Sequence, residues 1–126
     1  MEKQIRVLVA IRPRLMRELI LTTFADQPDI EIVSEFVEES RVPDEVARLS
    51  PDFLVLSQED TGQRPSICDL VLRQHPELRI IAVSSDRNYF VHYWVSFDIH
   101  SNDVEASEEG FLSVLRKKVD SLGRVT

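Results

Sequence analysis

The sequence has a single cysteine and no long apolar run in its 126 residues. One thiol, at Cys68, excludes an internal disulfide and favours a reducing compartment. The longest apolar runs span only a few residues, whereas a membrane-spanning helix needs about 20. The first residues also lack the pattern of a secretory signal peptide. We therefore expect a cytoplasmic protein that does not bind a membrane.

The chain is also poor in glycine and in positive charge, with three glycines and a formal net charge of −7. A deficit of Lys and Arg argues against unspecific nucleic-acid binding, because phosphate contacts need a basic surface. Gly62 is isolated, so no phosphate-cradling loop is expected. His75, His92 and His100 lack the spacing of metal ligands. We predict no nucleic-acid partner, no metal and no cofactor.

What the chain does contain is a regular alternation of short apolar runs with helical patterns. The apolar runs predict five strands, at residues 5–10, 30–36, 53–56, 79–83 and 97–99. Five helices are predicted. Three begin at Pro13, Pro43 and Pro65, the fourth spans residues 88–94, and the fifth follows the capping residue Ser107. Short helical connections favour parallel strands joined by right-handed crossovers. We expect one α/β domain over residues 1–126, with a five-stranded parallel sheet in the flavodoxin-like order 2-1-3-4-5 and helices on both faces.

In order and spacing, these segments resemble the receiver domain of bacterial response regulators. The resemblance is carried by framework motifs over nearly the whole chain, at residues 5–10, 15–18, 27–35, 51–56 and 75–84. In that family, two acids after the first strand bind magnesium, and an aspartate after the third strand accepts a phosphoryl group. A Ser or Thr after the fourth strand and a Lys after the fifth contact the phosphate. The resemblance therefore implies a site at the carboxyl ends of the strands.

At the matching positions this sequence departs from the family. The acid pair falls on Ile11 and Arg12, and the acceptor falls on Ser57. The lysine falls on or beside His100, and only the hydroxyl, at Ser84, is kept. Magnesium prefers carboxylate and water oxygens, which neither Ile11 nor Arg12 supplies, and a serine does not form an acyl phosphate. The resemblance thus implies a degenerate phosphorylation site, and we identify the chain as a pseudo-receiver and not as an enzyme.

Aromatic side chains concentrate on the predicted fourth helix, at Tyr89, Phe90, Tyr93 and Trp94. Phe97 follows them and matches the position of the family's switch aromatic. A short helix does not bury four rings, and large exposed aromatics mark binding surfaces; the alternative is a core with one half-exposed ring. We expect a phosphorylation-independent signalling module. It would dock a protein partner or a second copy through its fourth helix, fifth strand and fifth helix, the face that receivers use.

A second hypothesis is a small-ligand or anion sensor. Its ligand would lie in the remodelled pocket at the strand tips, lined by Arg12, Ser57, Ser84 and His100. Arg12 and its neighbour Arg14 supply the positive charge for an anion. The alternative is that both arginines are solvated, or paired with Glu59 and Asp60 in the facing loop.

A third hypothesis is a hydrolase that combines Ser57 and His100 with Glu59 or Asp60. The sequence carries no Gly-x-Ser-x-Gly motif around Ser57, and it has no glycine-rich turn to form an oxyanion hole. We therefore regard the hydrolase as the weakest of the three hypotheses.

Overall fold

The chain forms one mixed β-sheet with helices on both faces. The computed structural model describes residues 4–12, 14–58, 63–84, 89–96 and 99–123. Within them, six strands lie in the order β2-β1-β3-β4-β5-β6. The strands are β1 (Ile5–Ala10), β2 (Ile30–Phe36), β3 (Phe53–Ser57), β4 (Arg79–Val83), β5 (Tyr89–Val95) and β6 (Ile99–Glu105). The first four strands pair in parallel, whereas β5 and β6 run antiparallel to their neighbours.

Helices cover the sheet in pairs. The described residues contain α1 (Arg14–Ala25), α2 (Val42–Leu49, after a 3₁₀ turn at Glu39–Arg41), α3 (Ser66–Gln74) and α4 (Glu108–Gly123). Helices α1 and α4 contribute to one buried apolar cluster, and α2 and α3 contribute to the other. None of the helices in this part of the chain is long and apolar enough to cross a membrane.

The prediction of a five-stranded parallel sheet with five helices is wrong. The predicted fourth helix, at residues 88–94, is strand β5 over its described residues. The described residue of the predicted fifth strand, at residues 97–99, is Ile99, which begins the antiparallel β6. Successive side chains of β5 alternate between the two faces, with Phe90 in one apolar cluster and Val91 and Tyr93 in the other. Aromatic and β-branched residues favour such a two-sided strand over a helix.

The core lies on both sides of the central strand β3. Four consecutive side chains of this strand, Phe53, Leu54, Val55 and Leu56, have an exposed fraction of 0%. Phe53 and Val55 pack towards α1 and α4, while Leu54 and Leu56 pack towards α2 and α3. Continuous apolar runs of this kind are typical of parallel strands that are covered on both faces.

Arg6 joins the start of the sheet to the end of α2. Its guanidinium donates to the carbonyl oxygens of Leu49 and Ser50, and its backbone N–H donates to Asp52 Oδ2 at 2.9 Å. Ser50 has a φ of 47°, the left-handed conformation that commonly ends a helix. The last carbonyls of α2 therefore receive a cationic donor, which also suits the negative end of the helix dipole.

Helix α4 begins tightly against the end of β6. Ser107 Oγ accepts a hydrogen bond from Gly110 N at 3.0 Å, so the prediction that Ser107 caps the last helix is confirmed. A Cβ at Gly110 would come within 2.6 Å of the Glu105 carbonyl oxygen. The first turn of α4 therefore needs glycine at this position for its close approach to the strand.

From this turn, α4 crosses the face of the sheet to the loop between α1 and β2. The ring of Phe111 stacks on Phe90 of β5 at 4.3 Å between centroids, and it meets the edge of Phe24 of α1 at 6.5 Å. One turn further on, Arg116 forms two hydrogen bonds with the Asp29 carboxylate, at 3.1 and 3.2 Å. These bonds hold the pKa of Asp29 below its usual value. The helix thus fixes the antiparallel strands to the parallel half of the sheet.

We expect Phe111→Ala to lower the free energy of unfolding by about 3–5 kcal/mol, because it removes a buried ring between two other rings. Urea denaturation followed by circular dichroism measures this change. The control is Ser113→Ala, an exposed position on the same helix, where the expected change is within about 0.5 kcal/mol. A loss below about 1 kcal/mol for Phe111→Ala would contradict the packing described for α4.

Candidate functional site

The candidate site lies where β1, β3 and β4 end side by side. Because these strands are parallel, their carboxyl ends meet at one edge of the sheet, where such sheets usually bind ligands. Ile11 follows β1 with an exposed fraction of 1%, and Ser84 follows β4 and is buried. Ser57 ends β3 beside Val83. Arg12 is exposed, and its backbone N–H donates to Ser57 Oγ at 3.4 Å.

The structure brings four of the five predicted positions to this edge and leaves the fifth elsewhere. His100 lies in β6 opposite Trp94, and β5 runs antiparallel to β4 with Tyr93 opposite Ile80. His100 is therefore at the level of the amino end of β4, about 13 Å along the strand from its carboxyl end. The reversed strand direction is the reason that it does not join Ser84.

Five residues named in the sequence hypotheses lie outside the described residues. They are the predicted helix start Pro13, the loop acids Glu59 and Asp60, the isolated Gly62 and the predicted switch aromatic Phe97. The proposed pairing of Arg12 with these acids and the predicted triad of Ser57, His100 and an acid therefore remain predictions.

Gln58 is the residue of this edge that the sequence analysis missed. Its side chain is buried, with an exposed fraction of 5%. Gln58 Nε2 donates to the Gln63 carbonyl oxygen at 2.8 Å, and Gln58 Oε1 accepts from the Tyr93 hydroxyl at 3.1 Å. Its backbone N–H donates to the Val83 carbonyl oxygen at 2.8 Å. Gln58 therefore connects the end of β3 to the antiparallel strand β5.

One signal in the sequence points to Gln58. An amide side chain directly after a fully apolar strand enters a buried environment, where it needs both a donor and an acceptor as partners. The partner Tyr93 is 35 residues away, and only the antiparallel direction of β5 brings it to this point. Burial raises the pKa of the Tyr93 hydroxyl, which therefore remains a donor.

The described residues supply neither a metal-binding cluster nor a reactive thiol. They contain no group of three or more His, Cys, Asp or Glu side chains that would hold a metal ion. Cys68 is fully buried in α3, and burial raises the pKa of its thiol to about 12. The thiol is therefore protonated at neutral pH and supplies no thiolate nucleophile.

The aromatic cluster is mainly part of the core. Phe90 and Tyr93 are buried, with exposed fractions of 0% and 4%, so neither ring is available to a partner. Tyr89 and Trp94 are half-buried, and the Arg79 guanidinium lies 5.6 Å from the centre of the Trp94 ring. The predicted docking face was to include a fourth helix at residues 88–94, and this part of the prediction is wrong over the described residues, because residues 89–95 form a strand within the sheet.

Exposed apolar side chains occur instead on α1 and α3. Leu15 and Leu19, one turn apart on α1, have exposed fractions of 83% and 57%, and Leu70 on α3 has 45%. The buried side of this helix is formed by Ile20, Thr23 and Phe24, and Leu15 and Leu19 lie outside it. The outer side of α1 therefore carries a second, solvent-facing apolar strip.

A pocket of about 580 Å³ lies between α3 and the end of the β5–β6 hairpin. Leu72, Pro76, Val95 and Ile99 give it apolar walls, and its polar groups are Arg64, Asp69 and Arg73. Arg64 Nε and Nη2 donate to the two Asp69 oxygens, at 2.6 and 3.4 Å. Within the described part of the chain, Arg73 is left without an ion pair although it lies one turn after Asp69. The pocket therefore combines apolar walls with an exposed guanidinium.

Comparison with known proteins yields no match, whether with family models, with curated proteins or with solved structures. The function must therefore be argued from the geometry of the described residues.

We expect Tyr93→Phe to lower the free energy of unfolding by about 1–3 kcal/mol, because Gln58 Oε1 would stay buried without its donor. Thermal or urea unfolding measures the loss. Tyr89→Phe is the matched control, since it removes the hydroxyl of a half-buried tyrosine on the same strand and should change stability by no more than about 0.5 kcal/mol. Equal effects of the two substitutions would show that the Tyr93–Gln58 bond does not stabilise this edge.

Proposed function

We propose that this chain is a pseudo-receiver: a phosphorylation-independent, non-catalytic protein-interaction domain of a signalling system. The observation that carries the proposal is the edge formed by the ends of β1, β3 and β4. Ile11, Arg12 and Ser57 occupy it where a receiver needs three acids. The proposal includes a cytoplasmic location, which the lone Cys68 favours.

The chemistry of this edge opposes metal-assisted phosphoryl transfer. A magnesium ion keeps near-octahedral oxygen coordination and is usually held by one or two carboxylates. Ile11 fills the corresponding space with a buried aliphatic side chain that belongs to the apolar cluster under α1 and α4. Arg12 adds a positive charge next to it in the chain. A divalent cation would meet repulsion and no carboxylate ligand from these two residues.

The polar groups of the edge are bonded to one another. Ser57 Oγ is engaged by the Arg12 backbone, and both ends of the Gln58 amide are engaged by Tyr93 and Gln63. A receiver changes conformation when a phosphoryl group offers new acceptors at this edge. Here the acceptors and donors belong to the chain itself, so these hydrogen bonds form without a phosphoryl group. Such an arrangement supports constitutive binding of a partner better than a phosphorylation switch.

We expect that incubation with acetyl phosphate and magnesium leaves the intact mass of the protein unchanged, because no acceptor aspartate follows β3. Intact-mass spectrometry after the reaction tests this expectation. Ser57→Ala serves as the control, and its own intact mass should likewise not change on incubation. A phosphate adduct on the wild type that disappears in Ser57→Ala would overturn the proposal of a phosphorylation-independent domain.

A second candidate function is the sensing of a small organic anion. The pocket beside α3 suits such a ligand better than the strand tips do. At the strand tips, Ser57 and Gln58 already bond within the protein. Arg73 lines the pocket together with apolar residues that include Leu72 and Val95. A guanidinium of this kind binds a carboxylate through two parallel hydrogen bonds, while the walls accept an aliphatic tail.

We expect hexanoate to shift the amide NMR signals of α3 and of Val95 and Ile99 in a saturable way. Arg73→Ala should weaken this binding at least about tenfold, equivalent to about 1.4 kcal/mol. Arg14→Ala is the control, since Arg14 is an exposed arginine on the opposite face of the sheet and should leave the titration unchanged. The sensor hypothesis fails if the signals do not shift, or if the two variants behave alike.

A further inference from the structure

Arg79, at the start of β4, is a half-buried arginine whose charge is not paired within the described part of the chain. Two other arginines of this part are also half-buried. Arg6 donates to main-chain carbonyl oxygens and its Nε lies 3.7 Å from Glu31 Oε1, and Arg17 donates to the Ile11 carbonyl oxygen at 3.3 Å. The Arg79 guanidinium forms no hydrogen bond and no ion pair with any described residue. A charge that leaves water without such a partner costs free energy.

The pKa values of the arginine side chains show the same difference. Hydrogen bonds to Asp69 and to Asp29 raise the pKa of Arg64 and of Arg116, respectively. Burial instead lowers the pKa of the Arg79 guanidinium. A guanidinium is nevertheless protonated at neutral pH. Arg79 is therefore a partly desolvated positive charge, and an anion placed against it would supply the interaction that the paired arginines already have.

The side chains around Arg79 are aromatic. Its guanidinium lies 5.6 Å from the centre of the Trp94 ring. The centre of the His92 ring lies 4.9 Å from that of Trp94 and 6.1 Å from that of Phe53, and Phe53 is opposite Arg79 in the register of β3 and β4. Phe53 and His92 are buried, whereas Arg79 and Trp94 are half-buried. The guanidinium and the Trp94 ring therefore form the solvent-accessible part of this cluster.

A half-exposed ring beside a guanidinium without a counter-ion suits one class of ligand. The fork of a guanidinium binds a carboxylate through two parallel hydrogen bonds, and aromatic rings pack favourably against other rings. The chain as a whole carries a formal net charge of −7, which repels multiply charged anions, whereas one guanidinium balances one negative charge. We propose that Arg79 and Trp94 form a binding site for an aromatic monocarboxylate, with the carboxylate on Arg79 and the ligand's ring against Trp94.

This site is separate from the pocket beside α3. Leu72 of that pocket belongs to the apolar cluster under α2 and α3, and Val95 packs against the same cluster. Phe53 belongs to the cluster under α1 and α4, and Arg79 and Trp94 lie on that side of the sheet. The inference also goes beyond the proposed function, because binding at this corner needs neither a protein partner nor the ends of β1, β3 and β4.

Trp94 is the single tryptophan of the chain, so tryptophan fluorescence reports directly on the site. Benzoate is the probe, and chloride keeps the ionic strength constant during the titration. Benzoate should change the emission of Trp94 in a saturable way and shift the amide NMR signals of Phe53 and Arg79. Benzamide has the same ring without the charge, and it should bind at least about tenfold more weakly, equivalent to about 1.4 kcal/mol.

Variants of Arg79 test the role of its guanidinium. Arg79→Gln removes the charge and should weaken the binding of benzoate at least about tenfold. Arg79→Lys keeps the charge but loses the planar fork, so its affinity should lie between those of Arg79→Gln and the wild type. Arg48→Gln is the matched control, since it removes an exposed arginine of α2 and should leave the titration unchanged. Circular dichroism checks that each variant folds.

The inference is overturned if benzoate changes neither the emission of Trp94 nor the amide signals of Phe53 and Arg79. Equal affinities for benzamide and benzoate would also overturn it, and so would equal affinities of Arg79→Gln and the wild type for benzoate. Arg73→Gln excludes the pocket beside α3 as the place of binding. A loss of benzoate binding in this variant, with binding retained in Arg79→Gln, would contradict the assignment of the site to Arg79 and Trp94.

Discussion

The structure depends on the burial of both faces of the central strand β3. Phe53, Leu54, Val55 and Leu56 are fully buried, so apolar layers must cover the sheet above and below this strand. Helices α1 and α4 form one layer, and α2 and α3 form the other. Because neighbouring strands are parallel, this packing also fixes where their carboxyl ends lie. The position of the candidate site is therefore a consequence of the hydrophobic core, and its chemistry is decided by the few residues that follow each strand.

The sequence predicts the first four strands closely and fails after Ser84. Strands such as β1 and β4 are short apolar runs between polar turns, and their predicted bounds agree with the structure. Residues 89–95 are apolar or aromatic on both faces of the sheet, so neither a helical period nor a strand period stands out. The regular alternation of strand and helix patterns in the preceding part of the chain then predicted a helix at this point. The strand is determined by a tertiary contact. Phe90 packs against Phe111, which lies in a helix that follows later in the chain.

The candidate site, like the fold, was predicted only in part from the sequence. Ile11, Ser57 and Ser84 were placed at one edge from the sequence, because the ends of parallel strands meet wherever the strands are correctly identified. The bond from Tyr93 to Gln58 was not predicted, since it exists only if β5 runs antiparallel. The exposure of Leu15 was not predicted either, because apolar residues occur on both sides of α1 and the sequence does not tell which side meets the sheet.

The path of α4 has a consequence for the order of folding. Arg116 binds Asp29 across 87 residues of chain, and Phe111 closes a ring cluster that also includes Phe24 and Phe90. Contacts between residues so far apart in the sequence cost a large loop-closure entropy. They therefore slow the search for the native topology. During synthesis, the face of the sheet under α4 stays open until this helix has left the ribosome. Until then, a nascent chain with correctly paired strands still exposes aromatic and aliphatic side chains to aggregation.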